Sequence, residues 1–131
     1  MVVGLGTDIV EIDRIETVVD KAIAGTGLAK CRLALRILTE SELAIFTQSA
    51  QPARYLAKRF CAKEAAAKAL GTGIGRGVSF QHIEISNDSN GAPKVNFTDG
   101  AAQRMQALGA SQAHISIADE ARYATATVIL S

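Results

Sequence analysis

The chain has 131 residues, 48% of them hydrophobic and 21% charged, with 14 Lys and Arg against 13 Asp and Glu for a net charge of +1. That length fits one domain, spanning residues 1–131, with room for a real core. The balanced charge argues against a dedicated nucleic-acid binder, the hydrophobicity against disorder, and the 5% aromatic content without Trp against a base-stacking platform. Cys31 and Cys61 form no CxxC pair and read as reduced packing residues. The opening MVVGLGTDIV has no basic n-region, and no apolar run nears the ~20 residues that span a bilayer. A cytoplasmic chain without membrane contact is expected.

Residues 2–10 are apolar, β-branched and glycine-spaced, the pattern of a buried strand. Ile12, Ile15, Val19 and Ala22 then recur at helical spacing, and Gly25 and Gly27 stop that helix. A short basic stretch, 30–36, leads into Thr39-Glu40-Ser41-Glu42. That is a capping box: the Thr39 hydroxyl takes one free N–H, Glu42 reaches back for another, and a short helix runs through Phe46. Pro52 opens a longer, alanine-rich helix to Leu70, broken by Gly71, Gly73, Gly75 and Gly77. Residues 78–86 read as a strand, 87–91 as a turn and 94–97 as the returning strand. Thr98 is expected to cap a helix that ends at Gly109. Residues 114–118 and 123–130 alternate with period two across a tight polar turn. The order β-α-α-α-β-β-α-β-β predicts an α+β fold with an antiparallel sheet.

Charge is unevenly placed. Arg54, Lys58, Arg59, Lys63, Lys68 and Arg76 crowd one helix and its loop, where Glu64 is the only acid. Such a surface suits phosphate, and equally a plain solvated helix face. Leu56, Phe60 and Ala67 define an apolar stripe, and at 100° per residue Glu64 falls about 40° from Phe60, inside it. A carboxylate there is costly unless it is paired, as Lys68 one turn on allows, or holds a metal. Asp8 shares a strand face with Val2, Gly4, Gly6 and Val10. Two glycines on that face mark close approach of a ligand or another chain, while the place just before Glu11 also suits a helix cap. Two carboxylates near a basic, glycine-ended helix suit Mg²⁺, which takes one or two carboxylates, substrate phosphate oxygens and retained waters. Neither glycine run completes a dinucleotide fingerprint, and His82 and His114 lack metal-ligand spacing with the cysteines.

The segment Gly4-Leu5-Gly6-Thr7-Asp8-Ile9-Val10-Glu11-Ile12 closely resembles the opening of the bacterial holo-[acyl-carrier-protein] synthases, the short 4′-phosphopantetheinyl transferase family. Arg59-Phe60-Cys61-Ala62-Lys63-Glu64-Ala65-Ala66-Ala67-Lys68-Ala69 resembles their second motif, continued by Gly71-Thr72-Gly73-Ile74-Gly75. His114-Ile115-Ser116-Ile117 resembles the third, so the likeness covers nearly the whole chain in order. The resemblance implies an antiparallel sheet packed on the long helix. It implies transfer of 4′-phosphopantetheine from coenzyme A to a serine of apo-acyl carrier protein, in fatty acid biosynthesis, releasing adenosine 3′,5′-bisphosphate. Asp8 and Glu64 match the family's Mg²⁺ ligands, and Lys68 would neutralise charge on the leaving group. Arg59 and Lys63 would hold coenzyme A phosphates, and Gly71 and Gly73 would let backbone approach the nucleotide. A homotrimer with sites between subunits is implied, with no nucleic acid and no membrane among its partners. An acidic carrier protein would face Arg14, Lys21, Lys30, Arg32 and Arg36. Two departures stand out: Ala118-Asp119 replaces a histidine common after the third motif, and Ala67 replaces a serine. The base that takes the serine proton stays open between Glu64, Asp119 and a water on the metal. Asp119 is expected to begin the turn and point away from the His114, Ser116 and Ala118 face, or to be re-aimed by a bulge. It would hold a water of the metal.

Overall fold

A computed structural model describes residues 1–131. Strand β1 (Gly4–Glu11) is followed by α1 (Ile12–Ala24), α2 (Arg32–Ile37), α3 (Glu40–Gln48) and α4 (Pro52–Ala69). Then come β2 (Ile83–Asn87), β3 (Pro93–Phe97), α5 (Asp99–Ala107), β4 (Ala113–Asp119) and β5 (Tyr123–Leu130). β5 lies between β1 and β4, antiparallel to both, with Asp8 opposite Ala126 and Asp119 opposite Ala124. The α+β class, the antiparallel pairing and the packing on the long helix are as expected. The sheet, however, is divided: β2 and β3 form a hairpin of their own. No helix is long and apolar enough to cross a membrane.

Local chemistry explains where the elements begin and end. The capping box forms as read, with the Glu42 N–H donating to Thr39 Oγ1 at 3.4 Å and the Thr39 N–H to Glu42 Oε1 at 2.8 Å. α1 stops at Gly25. The basic stretch carries an unexpected helix, α2, whose six residues leave too short a pattern to read; it forms because Ala34 and Ile37 bury completely. The strand expected over 78–86 starts late. The Ser79 N–H donates to His82 Nδ1 at 3.1 Å and curls Phe80–His82 into a 3₁₀ turn first. Thr98 stands at the start of α5 without capping it; its hydroxyl lies 3.4 Å from the His82 carbonyl oxygen.

α4 is the centre of the molecule, and the glycines of β1 explain how. A Cβ on Gly4 would overlap the Ala69 carbonyl oxygen, and one on Gly6 the Ala65 carbonyl oxygen. The bare strand face therefore admits the chain's own helix, not a ligand or another chain. Ala65, Ala66 and Ala69 face a core completed by Ala126, Val128 and Leu130 of β5. Farther toward its N-terminus α4 packs Leu56 and Ala57 into a second core with Ile12, Ile15, Val19 and Phe46. The single apolar stripe expected from periodicity is thus corrected: α4 is buried on several sides because a core lies against each half. Burying Phe46 and Leu56 completely is worth about 1.5–3 kcal/mol each.

Because the Gly6 contact is with helix backbone, which cannot swing aside, Gly6→Ala should destabilise the fold by about 3 kcal/mol. Urea denaturation reads this directly; a parental midpoint would mean that α4 can lift off β1.

Candidate functional site

The close approach of α4 to β1 sets two carboxylates side by side. Asp8 leaves β1 on the face toward α4, and Lys68 reaches across to donate to Asp8 Oδ1 and to the Thr7 carbonyl, both at 3.0 Å. Lys68 therefore pairs with the strand rather than with Glu64 one turn back. Burial pushes the Glu64 carboxyl above its ordinary range, and the neighbouring Asp8 pushes it further; Lys68 and Arg36 pull it down. Beneath them the Cys61 thiol donates to the Asp8 carbonyl at 3.2 Å, and burial raises its pKa to about 12, so it stays an inert thiol. No group of three or more His, Cys, Asp or Glu residues is placed to hold a metal. A carboxylate pair that repels itself and stays partly open to solvent fits an ion that draws its remaining ligands from water and substrate.

Lys63 is a correction. Expected on coenzyme A phosphates, it is 0% exposed. Its ammonium donates to Glu42 Oε1 at 2.6 Å, to the Ile37 carbonyl at 2.7 Å and to the Phe80 carbonyl at 3.2 Å. Glu42 Oε2 in turn accepts the Ile85 N–H at 2.8 Å. Burial lowers the Lys63 pKa, and Glu42 opposes the shift. With all three protons used, this lysine ties α2, α3, α4 and the approach to β2 together and cannot touch a ligand. The helix-face reading failed because it assumed one buried side. Glu42 was legible only as a capping residue.

Farther up α4 lies a cleft of about 390 Å³ lined by Arg54, Tyr55, Lys58, Arg59, Asn87 and Ile117, among others. Arg59 is 6% exposed; its guanidinium stacks 4.7 Å from the Tyr55 ring centre and donates to Asn87 Oδ1 at 3.0 Å. Arg59 Nε and the Tyr55 hydroxyl are buried without partners. The sequence reading missed Tyr55 and Asn87, whose only signal is their contact with Arg59. Asp119 stands at this side of the sheet. It keeps regular register opposite Ala124, without a bulge, and faces α4. Arg54 Nη1 donates to its Oδ2 at 2.7 Å, and Lys58 Nζ lies 3.5 Å from its Oδ1. The Arg54 hydrogen bond holds the carboxyl below its ordinary range. Both Asp119 oxygens thus face cations of α4, while Asp8 of the same chain lies on β1 across β5, so within one copy nothing supports the expected hold on a water of the metal.

The remaining candidates fall in two places. Gly71 (φ +78°) and Gly73 (φ +64°) end α4 through their own left-handed backbone, and their N–H groups donate to the Lys68 and Ala67 carbonyls. Arg14 and Lys21 on α1, Lys30 beside it, and Arg32 and Arg36 on α2 are all exposed. Val18, Ile23 and Leu35 are exposed among them, an apolar component that the charge reading overlooked.

If Lys63 is a tie rather than a ligand, Lys63→Met leaves Glu42 unpaired in the core and should cost about 3–5 kcal/mol. The measurement is urea denaturation beside a coenzyme A titration of the folded fraction. Parental stability with weakened coenzyme binding would return Lys63 to the ligand set.

Comparison with known proteins shows the family. The family model described as the 4′-phosphopantetheinyl transferase superfamily matches residues 4–128. A holo-[acyl-carrier-protein] synthase of Shewanella sediminis (strain HAW-EB3) is 72% identical over 130 residues, 99% of this chain and 98% of that protein. The crystal structure of holo-[acyl-carrier-protein] synthase from Neisseria meningitidis covers 100% of this chain and 99% of its own, at 40% identity and a TM-score of 0.87. The Bacillus anthracis holo-(acyl-carrier-protein) synthase, solved in complex with CoA (3′,5′-ADP), is 36% identical, covers 99% of this chain and 96% of its own, and has a TM-score of 0.78. With a carboxylate pair beside a lysine at one edge of the sheet and a cationic cleft at the other, the chain belongs to the holo-[acyl-carrier-protein] synthase family of the 4′-phosphopantetheinyl transferases.

Proposed function

We propose that this chain's reaction, transfer of 4′-phosphopantetheine from coenzyme A to a serine of apo-acyl carrier protein, runs between the Asp8–Glu64 pair of one copy and the Arg54–Arg59 cleft of another. The observation that carries this reading is the half-buried pair of carboxylates, whose mutual repulsion calls for a cation. A Mg²⁺ held by Asp8 and Glu64 would polarise the attacked phosphate and stabilise the leaving one. Lys68, with its side chain 51% exposed, is free to turn from Asp8 toward the leaving phosphate. With Asp119 committed to Arg54 and Lys58, Glu64 is the carboxylate left beside Asp8, and its oxygen away from the cation would take the serine proton. The cleft, with three cations, an aromatic ring and two unpartnered buried polar atoms, suits the adenosine 3′-phosphate end of the coenzyme.

Helix geometry supports an assembly. At 100° per residue Tyr55 and Glu64 project about 180° apart from α4, so cleft and carboxylate pair flank the helix on opposite sides. Repeating copies head to tail would join one copy's β1 edge to the next copy's β4 edge, and a closed ring, here a homotrimer, uses every half-site. Nothing in the chain covers the outer face of the main sheet, where Leu5 and Ile9 are 63% and 65% exposed, which supports burial against further copies. The exposed cations of α1 and α2 support docking of an acidic carrier protein there. The two free, buried cysteines suit a cytoplasmic setting.

Asp8→Asn and Glu64→Gln should each leave below roughly a hundredth of parental transfer, since they remove ligands rather than outer partners. Both carboxylates belong to one half-site, so mixing these two variants should restore nothing. Glu64→Gln mixed with Arg54→Gln/Lys58→Gln, at a coenzyme A level where each is silent, should regain activity. No regain, or a monomer by light scattering with full activity, would place the whole site in one copy.

Arg14→Glu should raise the KM for carrier protein and flatten its salt dependence while the KM for coenzyme A stays put, because exposed charges chiefly set encounter rate. Steady-state kinetics against ionic strength check this; a shift in coenzyme A alone would move Arg14 to the nucleotide.

A further inference from the structure

We propose that Asp119 is a positioning residue for phosphate recognition, aiming Arg54 and Lys58 into the cationic cleft from the end of β4. The inference rests on the reading above that the cleft takes the coenzyme's 3′-phosphate. Its basis is a set of contacts that sequence alone did not suggest. The Arg54 guanidinium is held on three acceptors at once: Asp119 Oδ2 at 2.7 Å, the Glu120 carbonyl at 2.8 Å and the Ala121 carbonyl at 3.4 Å. Lys58 Nζ sits 3.5 Å from the other Asp119 oxygen. The anchor is itself rigid. The Glu120 carboxylate accepts the N–H groups of Arg122 and Tyr123 at 2.8 and 2.7 Å, and the Glu120 N–H donates to the Tyr123 carbonyl at 2.9 Å.

Long cationic side chains lose rotamer freedom when a ligand orders them, and a site that has already ordered them binds more tightly. Arg54 and Lys58 are one turn apart on α4 and both line the cleft, so one carboxylate on a stiff hairpin orders two ligand cations together. The cleft keeps a positive balance, because Arg59 adds a third cation against the one carboxylate. Asp119 thus acts on coenzyme affinity through Arg54 and Lys58, the two cations that occupy its oxygens.

The test uses the assembled enzyme and two readouts. Calorimetry measures binding of adenosine 3′,5′-bisphosphate without added metal, and kinetics compare coenzyme A with 3′-dephospho-coenzyme A. Asp119→Ala should weaken bisphosphate binding and raise the KM for coenzyme A roughly tenfold, the cost of leaving two long side chains unordered. Its kcat, carrier-protein KM and Mg²⁺ dependence should match the parent. Asp119→Asn, which keeps an acceptor for Arg54, should fall between, and it stands in if the alanine variant does not fold. With 3′-dephospho-coenzyme A, parent and variant should converge. Asp119→Ala should cost less in the Arg54→Gln background than in the parent, because only Lys58 is left for it to order. A lowered kcat or shifted Mg²⁺ requirement in Asp119→Ala would overturn the proposal in favour of a role at the metal. Parental affinity in Asp119→Ala, with binding weakened in Arg54→Gln, would overturn it and leave the cleft reading standing. Parental affinity in Arg54→Gln would remove the cleft reading itself.

Discussion

The molecule depends on one close approach, that of α4 to β1. Two glycines on the strand and a run of alanines on the helix bring the two backbones to a separation that no larger side chain allows. Everything at the carboxylate pair follows from that separation. Asp8 meets the flank of the helix, Lys68 reaches the strand, and Glu64 feels the Asp8 charge through partly buried surroundings. Asp8, Glu64 and Lys68 face the opening, while Gly4, Gly6, Ala65 and Ala69 serve it by being small.

α4 serves four directions at once. One side lies on the sheet, the opposite side on the helical core, and the two flanks carry the Glu64 and Tyr55 sites. A helix used on all sides needs its rotation fixed. The Lys63–Glu42 pair supplies this, since it draws acceptors or donors from α2, α3 and the segment ahead of β2 into one buried knot. Such a pair adds little net stability over an apolar substitute but tolerates only one arrangement of its neighbours.

Much of this was legible in the sequence because the signals were local or period-bound. The Thr39–Glu42 box, the Gly25 stop, the alternation of β4 and β5 and the Pro52 start all rest on neighbours within a turn or two. Asp8 and Glu64 stood out because each is an acid in an apolar pattern. The rest was hidden wherever meaning came from a distant residue. Lys63 looked like its neighbours Lys58 and Lys68 until Glu42, 21 residues back, claimed it. Asp119 looked like a turn residue or a relative of the metal until Arg54, 65 residues away, was seen on it. The glycines of β1 spoke correctly of close approach but wrongly of a ligand or another chain as the partner, because Ala65 and Ala69 carry no mark of their own.

The pairing of the first strand with the last has a consequence for how the molecule comes into being. Gly4 lies opposite Leu130, and β5 is the strand that joins β1 to β4. Closing so long a loop adds little to the equilibrium cost, since each doubling of length is worth only about 0.6 kcal/mol. It weighs more on the rate, because distant pairings must wait for one another. On the ribosome β1 is made first and stays without a strand partner until residues 123–130 emerge. Only then does the sheet exist against which Asp8 and α4 take their places, so a nascent chain holds every residue of the carboxylate site long before it holds the site.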